Sequence, residues 1–95
     1  MRFLVVDDDD TLRLTVKAAL ESRGYSVEEA EDGAAAVQKV ETAATRYDGV
    51  FLDVNMPNMS GIEALARIKE ISPASFCIIM TAFSEATVNE PVAIL

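Results

Sequence analysis

The 95-residue chain contains no histidine and no tryptophan, one cysteine, three prolines and four glycines. Each scarcity removes a class of chemistry. Without histidine there is no imidazole general base, no usual zinc site and no phosphohistidine carrier. Cys77 is alone, so no internal disulfide can form. Within Phe76-Cys77-Ile78-Ile79 it reads as a small buried hydrophobe, and a reducing cytoplasmic setting is the expectation. No apolar run approaches the length of a membrane span, and Phe3 to Val6 is too short for a signal peptide. Basic side chains are also few: 8 Lys and Arg stand against 16 Asp and Glu, for a net charge of −8. Such a surface repels nucleic-acid phosphates and anionic lipid, so neither direct nucleic-acid binding nor a membrane partner is expected.

What remains suits one small folded domain. The chain is 51% hydrophobic, enough for a single core, and no repeat, linker or low-complexity stretch divides residues 1–95. Apolar strand-like runs alternate with helical periodicity. Arg2 to Val6 reads as a strand. Thr11 to Ser22 follows as a helix with Leu12, Val16, Ala19 and Leu20 on one face, stopped by Gly24. Tyr25 to Ala30 is a more polar strand, as an edge strand would be. Asp32-Gly33 leads into a helix over about 34–44, with Val37, Val40 and Ala44 inward. Gly49 to Leu52 is a continuous apolar run suited to the middle of a parallel sheet. Ser60-Gly61-Ile62-Glu63 fits a capping box opening a helix that carries Ile62, Leu65 and Ile68. Phe76 to Met80 is another buried strand. Strands alternating with helices predict an α/β fold with a parallel sheet.

Three of the apolar runs stop at an acid or a hydroxyl: Asp7 and Asp8 after the first, Asp53 after GVFL, Thr81 after FCIIM. In a parallel sheet those ends share one rim, the rim where open α/β sheets bind ligands. Two unit charges about 4 Å apart repel by roughly 4 kcal/mol at an effective dielectric near 20. Three carboxylates together therefore raise one another's pKa or draw in a cation. Mg²⁺, with its preference for hard oxygen ligands and retained water, is the natural choice. A carboxylate beside Mg²⁺ can attack a phosphoryl group. Asp9 and Asp10 read more simply, one of them capping the following helix.

The order Asp7-Asp8, Asp53, Asn55, Met56-Pro57, Gly61, Thr81, with DVNMPNMSG at its centre, resembles the receiver (phosphoacceptor) domain of bacterial two-component response regulators. The resemblance covers Met1 to about Ser84. It implies a flavodoxin-like three-layer α/β/α fold with strand order 2-1-3-4. It also implies that Asp53 is the phosphorylated aspartate, Asp8 a direct metal carboxylate and Asp7 an acid acting largely through metal-bound water. By the same resemblance Asn55 supplies a backbone carbonyl to Mg²⁺, and Thr81 hydrogen-bonds the phosphoryl group and signals its presence. The implied partner is a sensor histidine kinase or a phosphotransfer protein. Such a domain catalyses its own modification and turns over no separate substrate.

Other motif readings fail on detail. A calcium loop starting at Asp53 needs Asp or Asn at 57, Gly at 58 and Glu at 64, where Pro57, Asn58 and Ala64 stand. A haloacid-dehalogenase-type phosphatase needs a second acid two residues after the nucleophile, where Asn55 stands. No glycine-rich nucleotide loop is present. The family also carries a fifth strand and helix, with a lysine after that strand, which have no counterpart in residues 1–95. Lys17, Lys39 and Lys69 fall on helices. Residues 84–95 start like a fourth helix from Ser84, but Pro91 inside it costs roughly 3 kcal/mol. A C-terminally incomplete receiver is thus expected. Its open strand 76–80, or segment 84–95, would join two copies. The alternative role is a receiver-like module that binds partners or oligomerises without phosphotransfer.

Overall fold

A computed structural model describes residues 1–53, 61–80 and 92–94. In chain order the elements are β1 (Arg2–Val6), α1 (Asp10–Glu21), β2 (Ser26–Ala30), α2 (Gly33–Thr42), β3 (Gly49–Asp53), α3 (Gly61–Ile71), β4 (Phe76–Met80) and β5 (Val92–Ile94). The sheet order is β2-β1-β3-β4-β5, with the first four strands parallel. This is the expected 2-1-3-4 arrangement, with the polar strand β2 at an edge and β1 and β3 in the centre.

Alternation along the strands sorts their side chains to two faces. Leu4, Val6, Val50, Leu52 and Cys77 point to one face. There they meet Val37 and Val40 of α2 and Ala64 and Ile68 of α3 in one buried cluster. The opposite face carries Phe3, whose ring makes edge-on contacts with Tyr25, Phe51 and Phe76. Helix α1 lies over β1 and β2 on this side.

The helix ends follow the sequence signals. The Asp9 carboxylate caps α1, accepting the N–H groups of Thr11 and Leu12, and the Asp32 carboxylate caps α2 by accepting from Ala35. Past α1, Gly24 adopts φ +87°. Its N–H donates to the Glu21 carbonyl and the Tyr25 N–H to the Leu20 carbonyl, a Schellman pattern that needs a left-handed residue there.

Several inward assignments change. No residue of α1 is fully buried, and Leu12 is 43% exposed, because among the described residues no second helix flanks α1 on its face of the sheet. Helix α2 stops at Thr42, which leaves Ala44 exposed while Ala36 enters the core. On α3, Ile62 is exposed and the small Ala64 faces the core instead, close against α2. Ser60, and with it the capping-box assignment, lies outside the described residues.

The C-terminal segment differs most. Residues 92–94 are not helical but form β5, antiparallel to β4, with Cys77, Ile78 and Ile79 paired to Ile94, Ala93 and Val92. Only residues 81–91 separate β4 from β5. A parallel return needs a crossover of about a dozen residues or more, whereas an antiparallel return does not. β5 covers the central three residues of the β4 edge, so the open edge expected to join two copies through 76–80 is already paired within the chain.

Candidate metal and phosphoacceptor site

Register brings the acids together. Val6 of β1 pairs with Leu52 of β3, so the next residue along each strand, Asp7 and Asp53, emerge side by side at the carboxyl end of the sheet. Both are buried, at 3% and 5% exposure, while Asp8, one step further out, is exposed. One carboxylate oxygen from each of Asp7, Asp8 and Asp53 can be chosen so that all three lie within 4.8 Å of one another. The predicted convergence of distant acids is therefore present.

Asp7 is held through every polar group it has. Its N–H donates to the Ala30 carbonyl (3.2 Å). One carboxylate oxygen accepts the Asp9 N–H (2.9 Å), and its carbonyl accepts from Arg13 Nη1 (2.8 Å). Burial is the main cause that pushes its carboxyl up to about 6, opposed by the Asp9 N–H and reinforced by the neighbouring charges of Asp53, Asp8 and Asp9.

Arg13 is the neighbour of the acids that sequence reasoning missed. Besides the Asp7 carbonyl, its guanidinium donates to Glu29 on β2 (2.9 Å) and to Asp10 in the first turn of α1 (2.6 Å). Both acids hold Arg13 more firmly protonated, Glu29 foremost. Glu29 also accepts from Lys17 (3.0 Å) and is held below the ordinary carboxylate range by Arg13 first and Lys17 second. The spacing of Asp10 and Arg13 was visible in sequence as an i, i+3 helix pair. The reach to β2 and to the Asp7 backbone was not.

The remaining lysines stay away from the acids. Lys39 approaches Glu28 at 3.7 Å, and Lys69 donates to the carbonyls of Pro73 and Ser75. Asn55 and Thr81 lie outside the described residues. The donor set that is described fits a small hard cation. It offers three carboxylates, two sunk into the sheet end and one at the surface, where coordinated water has room.

Among the described residues, no helix is long and apolar enough to cross a membrane. The response regulator receiver domain family model matches residues 3–93. Among curated proteins, the response regulator MprA of Mycobacterium avium is 38% identical over 93 residues, 98% of this chain and 39% of that protein. The transcription factor SKN7 of Chaetomium thermophilum is 39% identical over 80 residues, 84% of this chain and 10% of that protein. The chain thus spans two fifths or less of the length of these relatives. Among solved structures, the response regulator TrrA of Thermotoga maritima, in complex with Mg²⁺ and BeF, superposes with a TM-score of 0.78 at 37% identity, covering 87% of this chain and 70% of that one. A CheY-like receiver domain protein of Methanospirillum hungatei gives 0.81 at 29% identity, over 90% and 66%. A sheet of this order, acids meeting at its carboxyl end and a family match over nearly every residue lead to one assignment: the chain belongs to the response regulator receiver domain family.

Proposed function

We propose that this receiver domain accepts a phosphoryl group on Asp53 from the phosphohistidine of a sensor histidine kinase or a phosphotransfer protein, with Mg²⁺ as its cofactor. The observation that carries this is the meeting of Asp7, Asp8 and Asp53 within 4.8 Å. Asp8, Asp53 and the Asn55 backbone carbonyl would hold the ion directly, and Asp7 largely through its water. The roles of Asn55 and Thr81 rest on their sequence positions after β3 and β4. When bound, Mg²⁺ supplies positive charge that offsets the repulsion among the acids and the charge on the phosphoryl oxygens.

The chain's own residues do the rest. Asp53, fixed at the end of a central strand, presents a side-chain oxygen for in-line attack on phosphorus. The new O–P bond forms as the P–N bond to the donor imidazole breaks with its electron pair left on nitrogen, and that nitrogen takes up a proton from solvent. Burial of Asp7 and Asp53 excludes bulk water from one side of the acceptor. Thr81 would donate its hydroxyl to a phosphoryl oxygen. Asp53 is both nucleophile and product, so the domain modifies itself and turns over no separate substrate.

The test is beryllofluoride, a mimic of the aspartyl phosphate, added with Mg²⁺ while backbone amide resonances are followed. Saturable shifts around 7, 8 and 53 in the wild type, absent in Asp53→Asn, are the expected result. No binding by the wild type would leave a phosphorylation-incompetent interaction module as the surviving reading. Sustained turnover of a phosphate ester would mark a phosphatase.

A further inference from the structure

The Asp7–Asp8 peptide is the piece of backbone on which the proposed metal site depends. Asp8 is exposed, so packing does not fix its carboxylate, and the plane of that peptide sets the direction in which its side chain leaves the chain. Among the described residues, one side chain bonds that peptide directly: Arg13, through Nη1 to the Asp7 carbonyl at 2.8 Å. Its side chain is 12% exposed, and its guanidinium is anchored at two other corners by Glu29 and Asp10. Glu29 sits on β2, so the fork ties the end of β1 to the neighbouring strand and to the first turn of α1.

Charge gives Arg13 a second qualification. Its positive charge is already matched by Glu29 and Asp10, and Lys17 shares Glu29. The guanidinium therefore reaches the backbone beside the acids as a committed donor rather than as a counterion in place of a cation. A planar fork with several fixed donors suits this task, and an ammonium does not.

From this geometry we infer that Arg13 is a positioning residue for the metal site, orienting the Asp7–Asp8 peptide so that the Asp8 carboxylate faces Asp7 and Asp53. The inference rests on the metal reading proposed above, and the experiment separates the two. Metal-stripped wild type, Arg13→Ala, Arg13→Lys and Arg2→Ala are titrated with Mg²⁺ and followed by amide NMR shifts. Arg2 is the comparison because it too is an arginine joining β1 to β2, through Glu28, but at the opposite end of the strand. Arg13→Ala should bind Mg²⁺ about tenfold more weakly, as loss of an outer partner of metal ligands commonly does. Arg2→Ala should stay within about twofold of the wild type, whatever stability it loses. A wild-type affinity in Arg13→Ala overturns the inference. So does an equal loss in Arg2→Ala, which would reduce Arg13 to general support of the fold. Should Arg13→Ala fail to fold, Arg13→Lys decides: it keeps charge and stem without the fork, and a wild-type affinity in it is equally fatal. A wild type that binds no Mg²⁺ refutes the metal reading itself, before any variant is compared.

Discussion

Replacing Asp7 by asparagine should stabilise the metal-free domain while weakening its response to Mg²⁺. Asp7 is 3% exposed, lies beside Asp53 and Asp8, and has its carboxyl raised from 3.8 to about 6, chiefly by burial. The folded state therefore binds this proton more tightly than the unfolded chain. The resulting stability is fully present below about pH 4 and fades as pH rises towards about 6. Above that, ionised Asp7 costs the fold at most about 3 kcal/mol, at about 1.4 kcal/mol per pH unit. Asparagine carries no charge, and its amide oxygen can still accept the Asp9 N–H. With a chelator present, urea unfolding followed by far-UV circular dichroism should show Asp7→Asn more stable than the wild type at about pH 7.5, by up to about 3 kcal/mol. At about pH 4 the difference should nearly vanish, because the wild-type carboxyl is then protonated in the fold. Mg²⁺ at about a hundred times its dissociation constant should stabilise the wild type by about 2.7 kcal/mol and the variant far less. Sodium chloride at equal ionic strength controls for screening of the net charge of −8. An Asp7→Asn protein no more stable than the wild type at the higher pH, or equally favoured at both, would refute the account of a buried, strained carboxylate.

Other perturbations test the frame around the site. Ile68→Ala removes a side chain that is 0% exposed between α3 and the sheet, and should cost about 2–5 kcal/mol in urea unfolding. Asp32→Ala removes the α2 cap that accepts the Ala35 N–H, at about 1 kcal/mol by the same measurement. Gly49→Ala would place a Cβ 2.5 Å from Phe76 Cζ and 3.0 Å from Phe3 Cδ1. The edge-on ring cluster must then shift, lowering stability by about 1–3 kcal/mol with the largest NMR shifts on those two rings. An unchanged melting temperature for Gly49→Ala would mean that the rings turn aside freely.

Much of the frame was legible because its signals are local. Apolar runs marked the first four strands to within a residue at each end, and the greater polarity of 25–30 placed that strand at an edge. The Asp9-Asp10 pair, Asp32-Gly33 and Gly24 marked the helix ends, since capping depends on residues within one turn, and the structure made Asp9 the cap of the pair. Assignments of helical faces fared worse. Periodicity marks a stripe on a helix but not how wide a neighbour covers it, so Leu12 and Ile62 proved exposed while Ala64 took the core position. The 84–95 segment could be read as a broken helix, whereas in the structure residues 92–94 pair with β4 as an antiparallel strand.

At the site the division is the same. The sequence alone determined which acids end which strands, because side-chain identity and strand termini are properties of short segments. Tertiary structure decided that Asp7 and Asp53 are buried together while Asp8 stays at the surface. It also decided that Arg13 spans from α1 to β2 and grips the backbone between two acids. Those facts depend on strand register and on contacts between residues far apart in the chain, which no local pattern encodes.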